Sequence, residues 1–225
     1  MKKQIICVMT VCALLVSNSA LAATVSKSFG GFNFNVTTPN TTSSKTVQTS
    51  ANTAAMKAQI DAITSKVNSL STNYQNSINS LANNLLPTAQ IDKLKEEKEK
   101  LQKASKSTVD VNIEIAEDGT IALNKFLKTS SAKETFKNLS VAQKTAIKKD
   151  LNNLASVSSS YSQIIEQSKT LAKQIKADPV AAMNLKADII NLTKVQINAA
   201  KQVKNITKLS ANIVTSASKA GVSIK

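Results

Sequence analysis

The apolar positions of this chain keep one period over long stretches and a different period over one short stretch. From Ala51 onward, Met56, Ile60, Ile63, Val67, Leu70, Tyr74, Ser77 and Leu81 recur in alternating steps of four and three residues. Such steps place them on one side of an α-helix, and the pattern predicts the seam of a coiled coil or long bundle. Pro87 punctuates the run, because the residue before a proline is pushed out of helical geometry. A second, charge-dense helix is expected beyond it, with Ile91, Leu94, Leu101 and Ala104 as a thin apolar line. Its Lys95, Glu96, Glu97, Lys98, Glu99 and Lys100 stand at spacings that allow pairing along a solvated face.

Between residues 108 and 124 the period becomes two. Val109, Val111, Ile113 and Ile115 alternate with Asp110, Asn112 and Glu114, as in a half-buried strand. Glu117-Asp118-Gly119 reads as a three-residue turn with Gly119 in the left-handed position, and Ile121 and Leu123 continue beyond it. This register sets Ile115 opposite Ile121 and Ile113 opposite Leu123, gathering the large apolar side chains on one face. A β-hairpin over 108–124 is therefore expected. Glu114, Glu117 and Asp118 near its tip offer too few oxygens for calcium, which takes about six to eight. Turn chemistry accounts for Asp-Gly without a metal.

The helical period returns over residues 125–225. A short helical piece from Asn124 to Leu139, restarting near Ser131, leads to Ser140-Val141-Ala142-Gln143, a capping box that opens the next long helix. Its seam is Ile147, Leu151, Leu154, Ser158, Tyr161, Ile165, Ser168, Ala172 and Ile175, with Val157, Ile164 and Leu171 as a second line. Asp178 and Pro179 suit the N-cap and first position of another helix. That last helix is expected to run to about Ala220, with Gly221 as its cap. Its seam is Leu185, Ile189, Leu192, Gln196, Ala199, Val203, Ile206, Ser210, Ile213 and Ala217. Two long helices joined so tightly fold back antiparallel.

Residues 1–22 have the features of a secretory signal peptide: Lys2 and Lys3, an apolar run from Ile5 to Val16, and Ala20-Leu21-Ala22 before a cleavage point at Ala23. The run is too short for a bilayer-spanning helix of about 20 residues. Residues 23–50 are rich in Thr, Ser and Asn and read as a flexible leader. Within it Phe32-Asn33-Phe34-Asn35-Val36 alternates like a short strand. Two roles fit that strand: tucking against this chain's own fold, or presenting Phe32, Phe34 and Val36 to the sheet edge of a partner.

The expected fold class is mainly α: an elongated bundle of long antiparallel helices with a small β-hairpin, which the strand at 32–36 is placed to join. The organisation is signal peptide 1–22, leader 23–50, long helix plus charged helix 51–107, hairpin 108–124, and helical hairpin with a basic end 125–225. A hairpin between long helices is similar in layout to helical pore-forming toxins that carry a β-tongue, a likeness of architecture that no motif accompanies.

Composition narrows the chemistry. The chain has no His and no Trp, and its only cysteines, Cys7 and Cys12, lie in the signal peptide that export removes. The exported chain then lacks the usual general base, a thiol nucleophile and thiolate metal ligands. No catalytic site, cofactor or metal site is expected, and no small-molecule substrate is implied. The net charge is +15, and every one of the 29 basic residues is lysine. Export and the absence of arginine, the main reader of base edges, argue against nucleic acid. Lysine suits non-specific attraction to anionic lipid, envelope polymers or an acidic protein, and also serves solubility alone.

No acid follows Asp188, and Lys194, Lys201 and Lys208 recur every seven residues away from the last seam. Together with Lys204 they are candidate contacts to an anionic surface. The expected function is an exported, non-enzymatic interaction protein: a periplasmic or secreted scaffold, chaperone or assembly component whose partners are other chains or an anionic envelope surface. The alternative is a secreted membrane-active or pore-forming-type helical protein that binds anionic membranes. A monomeric bundle is expected over a dimer, because three comparable long helices suffice to bury the seams.

Overall fold

The computed structural model describes the backbone of residues 25–29 and 32–36, and residues 51–104 and 106–224 in full. The signal peptide assigned to 1–22 and most of the leader lie outside the described residues. Within the leader, β1 (Val25–Phe29) and β2 (Phe32–Val36) pair antiparallel, with Val25 opposite Val36 and Phe29 opposite Phe32. The rest of the description is helical, and its packing is bundle-like.

Helix α1 (Ala51–Leu85) is about 52 Å long at 1.5 Å per residue. All eight seam positions named from the sequence are buried in it, and Ile78 and Leu85 extend the line. The chain turns at Leu86-Pro87, and α2 (Thr88–Lys103) follows with Pro87 as its N-cap. No residue of α2 is fully buried; Ile91 and Leu94 rest against the core from outside.

Residues 108–124 are not a β-hairpin. They form helix α3 (Thr108–Phe126), and Asp118-Gly119 sits in its middle rather than in a turn. At 100° per residue, Val109, Ile113, Ala116, Thr120 and Leu123 share one face and are buried. Val111 and Ile115 lie on the far side and are also buried, although outside the main core cluster. The helix packs against α1 and α7 on one side and also touches α2 and β1. A helix covered on two sides buries residues i and i+4 on one face and i+2 and i+6 on the other, which imitates a strand's alternation. The start of α3 is fixed locally: Ser107 accepts a hydrogen bond from the Asp110 amide at 3.1 Å and donates its hydroxyl proton to the Asp110 carboxylate at 2.7 Å.

Helix α4 (Ser130–Lys137) is a short connector. Then Ser140 and Gln143 form the anticipated capping box, with bonds of 3.2 and 2.9 Å, and α5 (Val141–Ala177) begins. Asp178 caps α6 (Pro179–Asn184) by accepting from the amides of Val180 and Ala181, both at 3.0 Å. The chain does not run on as one helix: Leu185 leaves helical geometry at φ −108° and ψ 22° before α7 (Lys186–Lys219) starts. Gly221, with φ 75°, ends α7 through bonds from its own amide to Ser218 and from the Val222 amide to Ala217.

Side-chain bonds give the helix directions. Asn52 reaches Asp178 at 2.7 Å and Lys66 reaches Gln163 at 3.2 Å, so α1 and α5 are antiparallel. Glu117 meets Lys201 and Gln202, and Asn124 meets Asn212, so α3 and α7 run the same way. The core lines of α5 and α7 differ in detail from the expected seams. In α5 the expected second line, Val157, Ile164 and Leu171, is buried and Asp150 extends it, whereas Leu151, Ser158 and Ile165 of the expected seam are half-buried. Val195, Gln202 and Leu209 likewise replace Gln196, Val203 and Ser210 inside α7. A line of residues seven apart leaves its companion line free to fall three or four positions on, and the neighbouring helices decide which.

Candidate interaction surface

Two groupings of polar or exposed residues stand out. The first is internal. Tyr74 of α1 shares a hydrogen bond with Thr120 of α3 at 2.9 Å, and both are buried. Glu117, three residues before Thr120, accepts from Lys201 Nζ and from Gln202 Nε2, each at 2.7 Å. Tyr161 of α5 is buried close by, and its hydroxyl has no partner among the described residues, as is true of Gln202 Oε1. Burial pushes the Tyr74 hydroxyl up to about 12 and the Tyr161 hydroxyl up as well, so both are neutral at ordinary pH. Each of the four helices thus contributes a polar group to this layer, which gives the packing a register.

The second grouping is external and lies on α7. Leu192, Ala199, Ile206 and Ile213 point into the core. On the opposite side, Ile190, Ile197, Lys201, Lys204 and Lys208 fall within about 60° of one line down the helix. Ile190 is 52% exposed and Ile197 65% exposed, unusual for isoleucine on a helix that also buries a full seam. Met183 of α6, one further step of seven residues back, is 74% exposed.

The structure places the four candidate lysines unequally. Lys201, Lys204 and Lys208 are exposed on this outer face, whereas Lys194 is half-buried at its margin. Lys201 is committed to Glu117 at 2.7 Å, so part of its charge is answered within the chain. Asp188, the last acid of the sequence, sits toward the core side and pairs with Lys57 at 3.1 Å. Ile190 and Ile197 are not among the candidate residues of the sequence, because they lie off the seam of α7. Their signal was present as a spacing of seven on the side facing away from Leu192 and Ala199.

The acids grouped at the expected hairpin tip instead stand one turn apart on one side of α3. Glu114 binds Lys106 at 2.7 Å, Glu117 faces α7, and Asp118 is held above the usual carboxylate range by burial and by the acids around it. Phe32, Phe34 and Val36, the candidate docking strand, belong to β2, whose backbone pairs with β1 of the same chain. Elsewhere, Asp150 of α5 is raised by burial, with Ser80 partly offsetting, and one of its carboxylate oxygens has no partner among the described residues. Asp178 is lowered by the Ala181 amide and by Asn52. No helix among the described residues is long and apolar enough to cross a membrane. No protein-family model, curated protein or solved structure matches this chain.

Proposed function

We propose that this chain is an exported, non-enzymatic interaction protein, a scaffold, chaperone or assembly component that works through contacts made by the outer face of α7. One observation carries the reading: Ile190 and Ile197 stand exposed on the same line as Lys201, Lys204 and Lys208, opposite a helix face that is fully occupied by the core. Isoleucines aligned with lysines on one exposed helix face offer an apolar line with a basic surround, which favours an acidic counterpart. Export through residues 1–22 belongs to the same proposal, and its sign is a mature chain beginning at Ala23.

The membrane-active alternative drew on an amphipathic hairpin flanked by long helices. With α3 in that place, it keeps only the basic, isoleucine-bearing face of α7.

Reversible lysine cross-linking of the native cell envelope and culture fluid tests the proposal. Heteromeric species containing this chain are expected, and they diminish when Ile190 and Ile197 are both changed to Ser. Recovery of monomer alone at native protein levels contradicts it.

A further inference from the structure

We infer that the outer face of α7 seats one acidic amphipathic helix from a different protein. The inference rests on the contact-protein reading above and names the partner's chemistry. Ile190 and Ile197 are spaced seven residues apart, about 10.5 Å along the axis of α7, and the exposed Met183 of α6 lies before the break at Leu185. The two isoleucines form a ridge one side chain wide. A lipid surface is met by a broad apolar face of a helix lying in the interface, about 100° or more across. A ridge repeating every seven residues matches instead the line along which a second helix packs.

The residues beside the ridge agree with that occupant. Thr193 and Ala200 are small and exposed, leaving hollows into which another helix can insert larger side chains. Lys204 and Lys208 continue the line past Ile197, and Lys186 lies at its other end, all exposed. From Lys186 to Lys219 the only acid of α7 is Asp188, which is turned toward the core and paired with Lys57. The incoming helix therefore carries its apolar residues against Ile190 and Ile197, and carboxylates against Lys204 and Lys208. A second copy of this chain is a poor occupant, because the net charge is +15 and matching faces would set lysine against lysine.

The test uses full-length protein and a designed helical peptide of about four heptads, with leucine at the core positions and glutamate flanking them. Control peptides carry glutamine or lysine in place of glutamate, and vesicles of phosphatidylglycerol form a further arm. Saturable binding of the glutamate peptide is expected, weakening several-fold when salt is raised from about 0.05 to 0.5 M. The Ile190→Ser/Ile197→Ser variant should lose roughly tenfold or more in affinity with its circular dichroism unchanged. Lys204→Gln/Lys208→Gln should lose less and flatten the salt dependence. Equal binding of the three peptides, self-association in place of peptide binding, or vesicle binding that the Ile→Ser pair abolishes would each overturn the inference. If these occur while cross-linked heteromers still form in cells, the partner chemistry is wrong but the contact role stands; if the heteromers are absent too, both fall.

Discussion

Gly119 of α3 lies directly against Ile78 of α1, so closely that a methyl group on Gly119 would overlap the Ile78 Cγ2 atom. The helix uses glycine here for its missing side chain and not for a left-handed turn. Gly119→Ala should gain up to about 1 kcal/mol of helix propensity and lose about 1–3 kcal/mol to overpacking, so the net effect is destabilising. In an Ile78→Ala background the same change should become neutral or stabilising. Denaturant unfolding of the four proteins measures the coupling, and additive effects would show that α3 is not seated on α1 in this way.

The two buried tyrosines make opposite predictions. Tyr74→Phe strands the Thr120 hydroxyl and should cost about 1–2 kcal/mol. Tyr161→Phe removes a buried hydroxyl with no partner among the described residues and should leave stability unchanged or raised. Thermal unfolding of both variants decides the matter.

Most of the helical layout was legible because its signals are local and redundant. The α1 seam, the Pro87 break, the Ser140–Gln143 capping box, the Asp178-Pro179 joint and the Gly221 cap each combine a spacing with a residue of one clear preference. Residues 108–124 misled for a physical reason. Val109, Val111, Ile113 and Ile115 are β-branched and alternate, yet positions two apart on a helix differ by about 200°, so a helix buried on both sides shows the same alternation. Ser107-Thr108-Val109-Asp110, a helix-start pattern, was the contrary signal. The outer isoleucines of α7 were visible as a spacing, but only burial of the other face shows that they have no task within the core.

Stability should depend on pH in two opposing ways. Asp178 is held below its ordinary 3.8 by the Ala181 amide, so its contribution is present above that pH and is lost as pH falls through the lowered value. Asp150 is held above 3.8 by burial, so its cost appears as pH rises from there through the raised value. Melting curves between about pH 3 and 7 should show Asp150→Asn gaining on the wild type as pH rises and Asp178→Asn falling behind it. Parallel curves for all three proteins would refute both assignments.

Glu117→Gln should loosen α3 from α7 and free Lys201 for outside contacts, because Lys201 and Gln202 both donate to that carboxylate. A loss of about 1–3 kcal/mol is expected for a bond to a charged group that is partly buried. Amide hydrogen exchange should quicken in α3 more than in α5, and equal change across both helices would remove this contact from the account.

The central claim is that the outer face of α7 touches another molecule. A photo-reactive side chain placed at position 190 or 197 in the full-length protein, irradiated in the cells that make it, addresses that claim most directly. Lys173, exposed on α5, serves as the control position. The account predicts a discrete heteromeric adduct from 190 and from 197 and none from 173. Adducts of equal yield from all three positions, or none from the two isoleucine sites, would contradict it.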